Sequence, residues 1–148
     1  MENSFAKNRK ALHDFFVEEE FEAGISLTGD EVKSIKNGQA NLKGAYLEIS
    51  NSEAYIRDMD ISKYKQSSNQ KYESKRKRKI LLHKKEIEKL ELNLQKSGLT
   101  AIPLELYAKK GKIKIKIGVM KGKKFYDKRE DLKKKDQKRE IEKMIKNF

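Results

Sequence analysis

The chain has 148 residues, 40% of them charged, and its 36 basic side chains outnumber the 23 acidic ones, giving a net charge of +13. This length fits one domain with an appendage, and the absence of cysteine excludes disulfides, cysteine-ligated zinc and thiol catalysis. The sequence has no run of 18 apolar residues and no signal-peptide core, so we expect a cytoplasmic protein with no membrane partner.

The charge is unevenly divided along the chain. Residues 1–74 carry 10 basic and 13 acidic side chains, whereas residues 75–148 carry 26 and 10. This asymmetry indicates a polyanionic partner, of which nucleic acid is the commonest. An anionic membrane surface is the weaker alternative, because no predicted helix has a broad apolar face with aromatic anchors.

The first predicted elements are a loose terminus and a bent strand. Met1 to Lys7 is polar, and we expect it to be loosely held. Apolar residues alternate from Phe15 to Leu27, which predicts a half-buried strand or a bent pair of strands. Glu19 interrupts the apolar face and predicts a bulge there.

A short helix and a hairpin are predicted next. Thr28-Gly-Asp-Glu31 has the residues of a capping box, and Gly38 is suited to end the helix that it begins. Residues 46–58 alternate in polarity around Asn51-Ser52, which predicts a hairpin.

The second half begins with a polar loop from Ser62 to Ser74, followed by five consecutive cations, Lys75 to Lys79. Residues 83–97 predict a helix that Gly98 terminates. Residues 99–120 predict a hairpin around residues 109–112, in which Pro103 indicates an edge position or a bulge.

These elements predict a mainly β (α+β) fold. About six short strands and two to three short helices, without a βαβ rhythm, favour a small closed antiparallel barrel of oligonucleotide-binding (OB-like) topology. We assign residues 1–124 to this barrel and residues 125–148 to a basic C-terminal tail. The tail has strong helix formers but weak amphipathicity, so we expect it to be disordered when free and helical when bound.

No motif indicates an enzyme. His13 and His83 lack metal-ligand spacing and a third ligand, and the chain has no phosphate loop, dinucleotide fingerprint or nucleophile elbow. We therefore expect no catalytic residue, no metal and no cofactor.

Three basic clusters indicate that the chemistry is binding. They are Asn8–Lys10, Lys75–Lys79 and Lys121–Arg129. Phe125 and Tyr126 within the third favour RNA, because phosphates attract the cations while aromatic rings stack on unpaired bases. Charge alone does not distinguish RNA from DNA, or a ribosomal protein from an RNA chaperone.

Several short motifs occur in order over nearly the whole chain: Asn8-Arg-Lys10, Glu22-Ala-Gly24, Gly29 with Glu31-Val-Lys-Ser34, Ala40-Asn-Leu-Lys43, Arg76 with Arg78-Lys-Ile-Leu-Leu-His83, Leu106-Tyr107, and Gly122-Lys-Lys with Asp127-Lys-Arg129. Together they resemble the SmpB family, the SsrA-binding proteins of bacteria. The resemblance implies an OB-like barrel that binds the tRNA-like domain of tmRNA as a monomer in a 1:1 complex. It also implies delivery of alanine-charged tmRNA to the A site of stalled ribosomes for trans-translation, with no DNA partner.

The resemblance implies two sets of site residues. Those expected to bind tmRNA are Asn8, Arg9, Lys10, Glu22, Lys33, Ser34, Asn41, Lys43, Arg76, Arg78, Lys79, Leu81, Lys123 and Lys124. Those expected to meet the ribosome, at the decoding centre and the mRNA channel of the 16S rRNA, are Tyr126, Asp127, Lys128 and Arg129. The alternative is a structural ribosomal protein or a general translation factor with the same barrel, and an enzyme acting on RNA comes third.

Overall fold

The computed structural model describes residues 3–65, 71–96 and 98–122. This part contains nine strands and three helices, in the order β1 (Asn3–Lys7), α1 (Arg9–Asp14), β2 (Phe15–Ile25), α2 (Gly29–Lys36), β3 (Ala40–Asn41), β4 (Tyr46–Ser50), β5 (Glu53–Arg57), β6 (Asp60–Ile61), β7 (Arg78–Leu81), α3 (Lys84–Leu94), β8 (Leu99–Lys109) and β9 (Lys112–Gly122). None of the described helices is long and apolar enough to cross a bilayer.

Seven antiparallel strands form one sheet in the order β1-β8-β9-β2-β7-β5-β4, and β3 pairs with β6 separately. The prediction of a mainly β fold is therefore confirmed. The predicted closed barrel is wrong for the described residues, because β1 and β4 are the two edges of the sheet and do not pair. The sheet curls so that β4 lies beside β8, the neighbour of the opposite edge strand, but no ladder joins β4 to β8.

The amino-terminal segment differs from its prediction. We expected a loosely held terminus, but residues 3–7 form β1, which pairs with residues 105–108 of β8. The following residues form α1, which was not predicted. The reason is tertiary: the segment has little strand propensity of its own but lies on the free edge of the long β8–β9 hairpin.

Both predicted irregularities of the long strands are present. The register shifts between Val17 and Glu19 in β2 and between Pro103 and Glu105 in β8. Pro103 lies at the β8 bulge and beyond residues 105–108, the stretch of β8 with which β1 pairs. The β4–β5 hairpin turns at Asn51-Ser52 as predicted, with both residues at positive φ, which matches the twist of the flanking strands.

The bulge in β8 divides the apolar residues between two cores. Leu106 packs in the main core with Ile115 and Ile117, all fully buried, whereas Leu104 packs in a smaller core with Met120. Gly118 lies where the small core meets the sheet. A Cβ there would be 2.7 Å from the Met120 sulfur and 2.8 Å from a Leu104 methyl carbon, so a larger residue would force these two side chains to move.

The start and end of α2 follow the sequence prediction. The Thr28 N–H donates to the Glu31 carboxylate at 2.8 Å, and the Glu31 N–H donates to the Thr28 hydroxyl at 3.3 Å. Gly38, at a φ of +74°, follows the helix and accepts the left-handed conformation at no steric cost. The helix is therefore held at both ends by the residues that the sequence singled out.

Candidate nucleic-acid interface

The five basic residues before and within β7, Lys75 to Lys79, differ in how far they are buried. Exposure alternates along it: Lys75, Lys77 and Lys79 are exposed, Arg76 is half-buried and Arg78 is fully buried. Of these five residues only Arg78 and Lys79 lie in β7, where successive side chains point to opposite faces, and Lys75 lies in a turn before the strand. The five consecutive cations therefore do not form one patch, because the lysines face solvent and the arginines face the protein.

Arg78 is held in the interior by hydrogen bonds to its guanidinium. Its Nε donates to the Glu31 carboxylate at 2.5 Å, one terminal nitrogen donates to the Met59 carbonyl at 2.7 Å, and the other donates to the Ser74 carbonyl at 3.0 Å. A buried cation is tolerated when it is paired and its donors are satisfied. Arg78 thus joins α2, the β5–β6 connection and the end of the polar loop.

Glu31 bridges the two arginines. Its side chain is 1% exposed, and its second carboxylate oxygen accepts from the Arg76 guanidinium at 2.7 Å. Burial on its own raises the pKa of this carboxyl, but hydrogen bonds from both arginines and from the Thr28 N–H outweigh it and hold the pKa below its ordinary value. The carboxylate that caps α2 therefore also positions the basic segment.

The outward face of β7 belongs to a groove of about 700 Å³. Three of the residues predicted to bind tmRNA line it together: Glu22, Lys79 and Leu81. Leu81 is 56% exposed and lies over Gly24, where a Cβ would come within 3.2 Å of a Leu81 methyl carbon. The missing side chain at Gly24 therefore makes room for an apolar residue on a polar surface.

Glu22 has protein partners at the rim of this groove. Its carboxylate accepts hydrogen bonds from the Tyr107 hydroxyl and from Lys109, the latter at 3.3 Å. The Tyr107 hydrogen bond is the main reason that the pKa of Glu22 lies below its ordinary value, with Lys109 adding to it against a cost of burial. Glu22 is thus ionised and fixes a tyrosine and a lysine at the groove.

Tyr55 was missed by the sequence prediction, and Lys77 was predicted only as a member of the Lys75–Lys79 cluster, not as a site residue. The Lys77 ammonium lies 4.0 Å from the centre of the Tyr55 ring, within the range of a cation–π contact. Tyr55 pairs across β5 and β7 with Lys79, whose ammonium contacts Glu53 at 3.2 Å. Period-two alternation applied to residues 75–81 would have predicted that Lys75, Lys77 and Lys79 are exposed together. We call these three lysines and β7 the lysine-faced strand.

Asn8 is a structural residue. It is 4% exposed and caps α1, its amide donating to the Leu42 carbonyl at 3.1 Å and to the Pro103 carbonyl at 3.0 Å. Its oxygen accepts from the Ala11 N–H at 3.1 Å. The side chain therefore fastens α1 to the β8 bulge and has no remaining donor for RNA.

We expect Asn8→Ala to lower the free energy of unfolding by about 2–4 kcal/mol, because the helix loses its cap and two buried carbonyls lose a donor. Chemical denaturation measures the change. The neighbouring Arg9→Ala is the control, since Arg9 is exposed and a surface substitution costs within about 0.5 kcal/mol. Unchanged stability with weakened RNA binding in Asn8→Ala would show that Asn8 contacts RNA itself.

A second cavity, of about 440 Å³, lies beside α1. Lys10 and Lys43 line it with Asn8, over a mostly apolar surface that includes Tyr46. Asn41, two residues before Lys43, accepts from the Lys43 N–H at 2.9 Å and shapes the turn. The structure therefore brings the predicted residues near Asn8 and those near Asn41 to one place.

The remaining predicted residues fall into two groups. Lys33 is exposed on α2, with its ammonium 5.3 Å from the centre of the Tyr64 ring, and its neighbour Ser34 is buried. Six predicted residues lie outside the described part of the chain: Lys123, Lys124, Tyr126, Asp127, Lys128 and Arg129.

A β-sheet domain with exposed lysines beside aromatic and apolar side chains has the surface chemistry of a nucleic-acid-binding protein. A family model described as SmpB protein matches residues 5–147, and the chain belongs to this family.

Individual relatives agree with this assignment. The SsrA-binding protein of Clostridium beijerinckii is 50% identical over 145 residues, covering 98% of this chain and 93% of that protein. The SsrA-binding protein of Clostridium tetani is 51% identical over 144 residues, covering 97% and 92%. A solved structure described as "tmRNA-SmpB: a journey to the center of the bacterial ribosome" is similar with a TM-score of 0.70 at 38% identity, covering 84% of this chain and 87% of that chain.

Proposed function

We propose that this protein binds the tRNA-like domain of tmRNA and delivers it to the A site of stalled ribosomes, where trans-translation tags the nascent peptide and releases the ribosome. The observation that carries the proposal is the match to the SmpB family over residues 5–147, together with about 50% identity to SsrA-binding proteins. The excess of cations in the second half of the chain supports a polyanionic partner. The protein would act in the cytoplasm as a binding factor and not as an enzyme.

We assign tmRNA binding to residues 1–124 and ribosome binding to residues 125–148. In this proposal the described sheet is an open variant of the OB-like topology, which its curl toward β8 supports. One monomer would bind one tmRNA. Tyr126 to Arg129 would meet the decoding centre, and the rest of the tail, unfolded when free, would form a helix in an mRNA channel left empty by a truncated message.

The lysines and the arginines of the basic segment Lys75–Lys79 have different surroundings, which indicates different roles. Lys75, Lys77 and Lys79 are exposed and able to contact phosphates, whereas Arg76 and Arg78 contact Glu31. We therefore propose that the lysines contact tmRNA and that the arginines hold the segment in place. On the same grounds Asn8 positions α1, and its exposed neighbours Arg9 and Lys10 contact the RNA.

We expect the triple variant K75A/K77A/K79A to bind the tRNA-like domain at least about tenfold more weakly at physiological salt. The slope of log affinity against log salt concentration should also become shallower by two to three phosphate contacts, at about 0.7–0.9 for each contact. Filter binding over a salt series measures both quantities. The matched control is K85A/K89A/K96A, which removes three exposed lysines and the same charge from the α3 region. Equal losses in the two triple variants would mean that the attraction is diffuse and not located at the lysine-faced strand.

The proposed function is tested directly by sequencing the RNA that co-purifies with the protein from cells. One predominant tmRNA species is the expected result. Stoichiometric recovery of ribosomal RNA from all ribosomes would favour the alternative, a structural ribosomal protein or a general translation factor.

A further inference from the structure

A cavity of about 320 Å³ lies beside the carboxyl end of α2. Its lining residues come from the end of this helix, from the turn after it and from the described start of the polar loop: Ser34, Asn37, Gln39, Lys63, Tyr64 and Lys65. Two backbone hydrogen bonds join its walls, from the Gln39 N–H to the Ser34 carbonyl at 2.9 Å and from the Ser62 N–H to the Gln39 carbonyl at 2.9 Å. The volume is within the range of small-ligand sites.

Ser34 is one of the lining residues, and its hydroxyl is buried in the cavity wall. The residue is 1% exposed, and its hydroxyl oxygen has no hydrogen-bond partner within residues 3–65, 71–96 and 98–122. Buried polar groups are nearly always hydrogen-bonded, so this hydroxyl marks an incompletely satisfied wall. It is too little exposed to touch a ligand directly, so the exposed lining residues must supply the binding groups.

The other lining residues have complementary chemistry. The side-chain amides of Asn37 and Gln39 are exposed and bond to no other described residue. Tyr64 contributes a half-buried ring with the Lys33 ammonium over it, and Lys63 and Lys65 are exposed on either side. Among the described residues, no acidic side chain lines the cavity. Amides, one ring and a surrounding set of cations occur here together.

We propose that this cavity binds one unstacked nucleotide of the RNA partner. The Tyr64 ring stacks on the base, and the amides of Asn37 and Gln39 bond to its polar edge. Lys63 and Lys65 take the flanking phosphates. The inference rests on the proposed function and adds to it a subsite that selects a nucleotide.

A nucleotide fits these groups better than a ligand that is only anionic. The lysines would attract any phosphate or acidic peptide, but such a ligand would leave the two amides and the ring without a partner. Single-stranded RNA uses all of these groups at once, because each nucleotide carries a π-face, hydrogen-bonding edges, a ribose hydroxyl and a phosphate.

The first test titrates the isotope-labelled full chain with AMP, CMP, GMP, UMP and inorganic phosphate separately, at millimolar concentration, followed by NMR. We expect the amide signals of Gln39 and Tyr64 to shift with at least one nucleotide, differently among the four, and not with phosphate. Shifts that phosphate reproduces would identify an anion site only, and an absence of shifts would overturn the inference.

The second test compares Tyr64→Leu with Tyr64→Phe for binding to the tRNA-like domain of tmRNA. Loss of one base–aromatic stack is expected to weaken the leucine variant about tenfold, while the phenylalanine variant stays within about twofold of the wild type. The salt dependence should not change in either, because no charge is removed, whereas Lys63→Ala should reduce it by about one phosphate contact.

The outcomes separate this inference from the proposed function. Tight binding by the wild type and by Tyr64→Leu alike, with no nucleotide-induced shifts, rejects the subsite and leaves the proposed function standing. Failure of the wild type to bind the tRNA-like domain rejects the proposed function, and with it the RNA partner assumed for the cavity. A thermal melt of each variant confirms that the fold is intact.

Discussion

Replacing Glu31 with glutamine is expected to lower the free energy of unfolding by about 3–5 kcal/mol, because it leaves the fully buried Arg78 without a counter-charge. The same substitution weakens the capping box of α2 and the ion pair to Arg76. Small domains have total stabilities of about 5–15 kcal/mol, so the variant should unfold at a much lower denaturant concentration or temperature. RNA binding should fall with it, since the lysine-faced strand loses its anchor.

The matched control is Glu48→Gln. Glu48 also pairs with an arginine, Arg57, at 3.0 Å, but both side chains are about 40% exposed. Such pairs contribute about 0–1 kcal/mol. Urea denaturation of the two variants compares the loss of a buried ion pair with the loss of an exposed one, as changes in the free energy of unfolding. A Glu31→Gln variant no less stable than Glu48→Gln would show that the buried bridge does not stabilise the fold.

The same carboxylate predicts a pH dependence. The pKa of Glu31 in the folded protein lies below its ordinary value of 4.5. Its stabilising contribution is therefore fully present above about pH 4.5 and is lost as the pH falls through the lower, folded-state pKa. The difference in stability between the wild type and Glu31→Gln should shrink toward acid pH, as measured by denaturation at a series of pH values.

Deleting residues 130–148 is expected to abolish peptide tagging while changing the affinity for tmRNA by less than about twofold. The segment has seven basic and five acidic residues, so its removal barely alters the net charge that attracts the RNA. What is lost is the part proposed to occupy the mRNA channel. A reconstituted tagging assay on ribosomes stalled at a truncated message, with tmRNA binding measured in parallel, gives both quantities.

A pair of point variants tests the helix proposed for the bound tail. Ile145→Pro should reduce tagging strongly, because proline inside a helix costs about 3 kcal/mol, whereas Ile145→Ala preserves helix propensity and should retain more activity. Equal tagging by the two variants would contradict a helical bound state. Equal loss of tmRNA binding and tagging in the deletion would contradict a separate function for the tail.

The parts of the fold that follow from local patterns were predictable. The β8–β9 hairpin, the capping box of α2 and both bulges arise from alternation, turn chemistry and single polar or proline residues within a few positions of each other. β1 was missed because residues 3–7 become a strand only by pairing with β8, about 100 residues away. A closed barrel was predicted wrongly because pairing between the edge strands depends on the curl of the whole sheet, which local sequence patterns do not determine.

The residue types of the site were predictable from the sequence, but not which of their side chains face solvent and which face the protein. Arg76 and Arg78 belong to the resemblance, yet their partner Glu31 lies 45 and 47 residues away and already had a sufficient local explanation as a capping residue. Asn8 was likewise identified without its partners Leu42 and Pro103, which come near it only in the folded chain. Residue types revealed a basic surface, and tertiary structure decided which side chains lie on it.

The open sheet has a consequence for self-association. An unpaired edge strand is a template on which a second copy of the chain can add its own strand. Here β4 has only five residues, and β1, also of five, is interrupted by a register shift between Ser4 and Ala6 and ends at Lys7. Short, irregular and charged edges oppose strand addition, so the two edges left unpaired within the described residues disfavour self-association through the sheet.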